Sequence, residues 1–188
     1  QPASAAAGTS AVPRTPAAAG LHTAAAVRPS AAAASVRAAA WAPAAEPVQT
    51  EPDNALLHRA YSYFRDSFDA EWGGFGTAPK FPAAHNLLFL LHYARRMKEP
   101  QAAAMAETTL KAMAHGGIFD NISGGFSRYS TDRKWLIPHF EKMLYDNALL
   151  ILAYCKGYAV TKKPLYLSVA EKTADYILRE MTAPEGGF

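Results

Sequence analysis

Residues 116–147 read GGIFDNISGGFSRYSTDRKWLIPHFEKMLYDN, a glycine-punctuated loop that runs into the polar start of a helix. His139, Glu141, Lys142, Tyr145, Asp146 and Asn147 all fall within that start. No other stretch sets so many titratable and hydrogen-bonding side chains beside so elaborate a turn. The rest of the chain reads as scaffold around it.

Outward from this stretch, helical periodicity dominates. Pro52-Asp53 opens a first helix whose Leu57, Tyr61, Phe64 and Phe68 share one face, and which stops before Gly73-Gly74. A second begins just after Phe81-Pro82, carries Leu87, Leu88, Leu90, Leu91 and Ala94, and ends at Arg95-Arg96 before Pro100. Its apolar residues run nearly all round, as in a buried helix. The third spans Gln101 to His115, with Met105, Thr109 and Met113 on one side and Gly116 as its stop. The fourth is expected from about Pro138 to Val160. The fifth is expected from Pro164 to Met181, with Leu165, Val169, Tyr176 and Ile177 inward. The expected class is all-α, with one short hairpin pairing Ser127–Tyr129 with Lys134–Leu136 around a turn at 130–133.

A repeat punctuates these helices. Gly-Gly-Phe follows the first, third and fifth, and its second glycine (Gly74, Gly125, Gly187) recurs after 51 and then 62 residues. Spacing of that size marks stacked supersecondary units, here pairs of helices. The glycines supply the positive φ that a tight reversal needs.

Charge needs dividing before it is interpreted. Nineteen Lys and Arg stand against sixteen Asp and Glu, a net +3. Arg14, Arg28 and Arg37 lie in residues 1–45, which hold no acidic residue, so the remainder balances. No basic face argues for nucleic acid. Residues 1–46, rich in Ala, Pro and Ser, bury too little apolar surface to offset their ordering entropy and are expected to be a disordered low-complexity tail. The domain proper is assigned to 47–188. An acid-free, Arg- and Ser-bearing start also fits an organellar transit peptide, the alternative to a cytoplasmic protein. No run approaches the roughly 18 apolar residues that span a bilayer, so no membrane partner is expected. Cys155 alone excludes an internal disulfide and suits a reducing compartment. Beside Ile151 and Leu152 it reads as a core residue.

WGGFGTAPKFP, GGIFDNISGGFSRYSTD and above all WLIPHFEKMLYDNALL resemble the spermatogenesis-associated protein 20 family, whose bacterial members are thioredoxin-domain-containing proteins. The resemblance covers roughly Asp53 to Phe188. It implies an (α/α)6 toroid similar to six-hairpin glycosidases and N-acylglucosamine 2-epimerases, of which this chain would be an incomplete part of about five helices. It also implies a thioredoxin-like domain with paired cysteines, which this sequence does not contain. The expectation is an internal piece of a longer protein that needs the rest of the parent toroid for a complete fold.

Chemistry must be argued from the residues themselves. On a fourth helix starting at Pro138, His139, Lys142 and Asp146 would share one face and Glu141 and Tyr145 the next. Polar groups facing a toroid's mouth would meet the hydroxyls of a small carbohydrate-like ligand, with Trp135 and Tyr129 as stacking surfaces. The expected catalytic residues are His139, a proton shuttle near neutrality, and Glu141 with Asp120 or Asp132 as the acid and base of hydrolysis. Arg128, Tyr129, Asp132, Trp135, Lys142, Tyr145, Asp146 and Asn147 are expected to bind the substrate. Lys80, held between Pro79 and Phe81-Pro82, is a further ligand candidate.

The same residues also have structural readings. Glu141 and His139 suit a helix start, Lys142–Asp146 suits a surface pair, and Trp135 and Phe126 suit core plugs. Neither a metal nor any other cofactor is expected, since His115 and His139 lack companions at ligand spacing and the glycines precede no Lys-Ser/Thr. Three functions remain: a sugar epimerase, isomerase or hydrolase; a binding toroid without chemistry; or a protein whose redox role lies in the thioredoxin-like domain.

Overall fold

The computed structural model of the chain describes residues 53–188; the tail expected at 1–46 lies outside them. The described residues form α1 (Asn54–Ser67), α2 (Ala84–Met97), α3 (Pro100–His115), β1 (Tyr129–Ser130), β2 (Pro138–His139), α4 (Leu144–Thr161) and α5 (Pro164–Glu180).

Local chemistry sets most of the boundaries. The Asp53 carboxylate accepts the Ala55 N–H and caps α1, and Glu99 does the same for Gln101 in α3. Pro100 and Pro164 begin α3 and α5, where a missing N–H costs nothing. Lys98 and Lys162 adopt left-handed conformations that end α2 and α4 within one residue of the next helix. Two antiparallel hairpins result, α2–α3 and α4–α5. Helices α2 and α4 also pack side by side, each against its own hairpin partner.

The core lies among these four helices. Leu87, Leu90 and Leu91 of α2 meet Met105, Leu110 and Met113 of α3, Leu150 and Tyr154 of α4, and Tyr166 and Val169 of α5. Each buried leucine stabilises the fold by roughly 1.5–3 kcal/mol relative to exposure. Gly157 lets α4 approach closely: a Cβ there would sit 2.8 Å from Leu110 Cδ1. The expected inward faces of α1, α3 and α5 are all buried or half-buried.

Three expectations are corrected. The fourth helix begins at Leu144, not Pro138, because tertiary pairing uses the backbone of 135–141. The Gly117 N–H bonds to the Trp135 carbonyl, Thr131 to Ile137 and Arg128 to Glu141. The hairpin therefore pairs Tyr129 with His139 and Ser130 with Pro138, rather than 127–129 with 134–136. Cys155 is exposed, not core. The inward residues of α4 are Leu150, Ala153, Tyr154 and Gly157, which turns Cys155, Leu152 and Ala159 to the opposite, open side beside Leu88 and His92 of α2. Among the described residues no helix is long and apolar enough to cross a membrane.

Candidate functional site

The Gly-Gly-Phe repeat is larger than three residues. Phe68-Asp69-Ala70-Glu71-Trp72-Gly73-Gly74-Phe75 and Phe119-Asp120-Asn121-Ile122-Ser123-Gly124-Gly125-Phe126 fold alike. In each, the two phenylalanines bridge, the Asp N–H bonds to the second glycine's carbonyl, and the first glycine's N–H returns to the Asp carbonyl. The Asp carboxylate caps the turn, accepting from Glu71 and Trp72, or from Ile122 and Ser123. A lysine then closes it. Lys80 Nζ lies 2.6 Å from both Asp69 Oδ2 and the Gly73 carbonyl, and Lys142 Nζ lies 2.9 Å from both Asp120 Oδ2 and the Gly124 carbonyl. Gly73, Gly74, Gly124 and Gly125 hold φ between +70° and +81°, as the turn requires.

This clamp removes Lys142 and Asp120 from the expected site. Lys142 does not pair with Asp146. It reaches back to Asp120 and lies over the Tyr176 ring, 4.2 Å from its centroid. Its hydrogen bond is the main cause holding the Asp120 carboxyl below the usual carboxylate range. Lys80 is likewise the closing cation of the first clamp, not a ligand group.

Three more expected binding residues turn out to be internal supports. The Asp132 carboxylate accepts from the backbone N–H groups of Lys134, Leu136 and Ile137, locking the hairpin loop. Burial pushes that carboxyl up, but the amide hydrogen bonds outweigh it and the net shift is downward. Trp135 is 1% exposed and donates its Nε1–H to the Trp72 carbonyl at 2.8 Å, so it offers no stacking face to a ligand. Asn147, fully buried, accepts the Phe126 N–H at 2.6 Å and donates to the Phe126 and Met143 carbonyls. Asn147→Leu would leave those groups unpaired and is expected to lower stability by about 1–3 kcal/mol in urea unfolding.

The remaining expected residues do converge. Arg128 Nη1 and Glu141 Oε2 lie 3.0 Å apart, both partly exposed, and this pair strengthens the guanidinium's hold on its proton. The Tyr145 hydroxyl lies beside the same guanidinium. Tyr129 stacks on exposed His139, with ring centroids 4.7 Å apart. Asp146, half-buried in the first turn of α4, has its proton affinity raised by burial, while the positive charges of Arg128 and His85 draw it back. His85 stands in the first turn of α2. The sequence reading missed it, since only the packing of α2 against α4 brings the two helix starts together. Arg128, Glu141, Tyr145, Asp146 and His85 thus gather at the N-terminal ends of the two adjacent helices, and the Tyr129–His139 stack adjoins them on the hairpin. A groove of about 660 Å³ lies between α3 and the Trp72 turn, but none of the expected site residues lines it.

Over 145 residues, 74% of this chain, the sequence is 42% identical to spermatogenesis-associated protein 20 of rat and of human. The mouse protein is 43% identical over 134 residues, 69% of this chain. The chain belongs to the spermatogenesis-associated protein 20 family. It spans 18% of the length of the rat and human members. No protein-family model matches it. Among solved structures, this family member resembles cellobiose 2-epimerase from Bacillus thermoamylovorans with a TM-score of 0.60 and 18% identity, over 70% of this chain and 39% of that one. Cellobiose 2-epimerase from Spirochaeta thermophila gives 0.57 and 21%, over 76% and 40%. A sugar epimerase from a ruminal bacterium gives 0.58 and 15%, over 70% and 38%. These likenesses establish the fold: the described helices are an all-α portion of an (α/α)6 toroid.

Proposed function

We propose that this region of the spermatogenesis-associated protein 20 family forms one wall of a sugar site, at which a proton is moved on the substrate as in an epimerase or isomerase. The observation carrying this reading is the group of polar side chains on the hairpin and helix starts, and within it His139. Its ring is exposed, and neither ring nitrogen has a hydrogen-bond partner among the described residues, which leaves both free to take or give a proton. Arg128, Glu141 and Tyr145, on the same hairpin and the helix start it leads into, offer donors and acceptors to hydroxyls. Sugar epimerases are among the solved structures that share the fold, which supports a sugar as the ligand.

Hydrolysis is the weaker form of the reading. It needs two available carboxylates across the scissile bond. Asp120 and Asp132, the partners expected for Glu141, are both committed to turns, so only Asp146 is left beside Glu141 to serve as the second carboxylate. A toroid that binds without chemistry draws on one observation, the exposed rim of Leu136, Ile137 and Phe140, the last 84% exposed.

The test uses the full-length protein with free aldoses, disaccharides and glycosides in D₂O. Deuterium is expected to enter the sugar carbon that inverts. His139→Ala is expected to lower kcat by about 10²–10⁴-fold with unchanged circular dichroism. Reducing-end release without deuterium would assign hydrolysis, and saturable sugar binding without turnover would assign the binding toroid.

A further inference from the structure

The segments that lead into α2 and α4 are joined through β1. Lys80 and Ser130 exchange both backbone hydrogen bonds at 2.8 Å, and Ser130 pairs in turn with Pro138. The next residue along each row is aromatic: Phe81, Tyr129 and His139. Their side chains form a row: Phe81 lies tilted by 38° against Tyr129 with centroids 5.0 Å apart, and Tyr129 stacks on His139 at 4.7 Å. The Tyr129 and His139 planes differ by 19°, so the imidazole lies nearly flat on the phenol ring.

Two other histidines of the domain are held by hydrogen bonds instead. His58 Nδ1 bonds to the Tyr93 hydroxyl and His115 Nδ1 to the Lys111 carbonyl. His139 has no such bond among the described residues, so the stack alone fixes its ring. Stacked aromatic pairs are favoured over and above the area they bury, which selects one ring orientation at an exposed position. A hydrogen-bonded tether would occupy one of the two nitrogens; a stack occupies neither.

We propose that Tyr129, backed by Phe81, is a positioning residue that orients the His139 imidazole while leaving both nitrogens free for the sugar. This rests on the proton-transfer reading of the same site. A positioning role predicts a loss in kcat with little change in KM, because the substrate's ground-state contacts are untouched.

The experiment compares Tyr129→Leu and Tyr129→Phe in the full-length protein, by kinetics and by the NMR shifts of the His139 ring protons. In wild type and Tyr129→Phe those protons are expected to be displaced upfield by the ring beneath them. Tyr129→Leu is expected to return them to ordinary values and lower kcat by about 10- to 100-fold. Tyr129→Phe is expected to stay within about twofold. Should the Leu variant not fold by circular dichroism, Tyr129→Val, whose branched side chain suits a strand, carries the same comparison. An undisplaced wild-type signal would overturn the proposal, as would full kcat after the stack is lost. If wild type turns over no sugar, the functional reading falls by itself, and the ring-proton shifts alone decide the stack.

Discussion

Replacing Lys80 with Met is expected to destabilise the domain by about 3 kcal/mol, while Lys142→Met, the same change in the second clamp, costs between about 1 and 2 kcal/mol. The two sites differ in surroundings, not in chemistry. Side-chain exposure is 0% for Lys80 and 3% for Asp69, against 14% for Lys142 and 33% for Asp120. Removing one partner of a buried pair strands a charge where water cannot reach it, at roughly 3–5 kcal/mol. The low end applies because Arg133 still holds Asp69 through Nε at 2.6 Å and Nη2 at 2.8 Å. Urea titrations of both variants check the ordering, and equal losses would mean that burial does not set the difference. Acid should separate the clamps as well. Burial pushes the Asp69 carboxyl up, but hydrogen bonds from Arg133 and Lys80 outweigh it and hold the group well below the carboxylate range. With the folded value below the unfolded one of about 3.9, that stability is complete above about pH 4 and is lost as pH falls further.

The helices were legible in the sequence because their signals are local. Apolar period, capping Asp53, Pro100, Gly116 and Pro164 each act within a few residues, and α1, α2, α3 and α5 follow them closely. The start of α4 was not legible. Pro138 suits a first helical turn and an extended strand equally well, and the choice is made by amides of Arg128 and Thr131 that reach it across the hairpin. That slip dissolves the helix face once drawn through His139, Lys142 and Asp146. The clamps were half legible. Phe-Asp-x-x-x-Gly-Gly-Phe occurs twice, but the closing lysine stands 11 residues after Asp69 and 22 after Asp120, so no fixed spacing reveals it. Crowding of polar residues marked the loop and helix start as the place to look for a site. It did not separate groups that face a ligand from those that hold the turn, because that depends on which carboxylates are already satisfied.

Trp135→Ala is expected to cost about 3–5 kcal/mol, the largest single loss in the domain. The indole is the lid of the first clamp. A Cβ on Gly74 would fall 2.5 Å from its Cζ2, so the ring rests directly on that glycine, and Lys80 Nζ lies 5.5 Å from the ring centroid. The residue holds this place at φ +66°, a conformation costing roughly 1–2 kcal/mol outside glycine, which the surrounding contacts must outweigh. Trp135→Phe separates the structural role from a sugar-stacking one. Phenylalanine keeps an aromatic face but cannot donate to the Trp72 carbonyl, so stability should fall by about 1–3 kcal/mol while sugar KM stays unchanged. A stacking platform predicts the reverse, weaker sugar binding at undiminished stability. Urea unfolding and KM measured on the same variant therefore decide the role. Gly74→Ala adds a second check. Its clash with the indole should vanish in the Trp135→Ala background, leaving only the strain of φ +78°, so the two substitutions together should cost less than their sum.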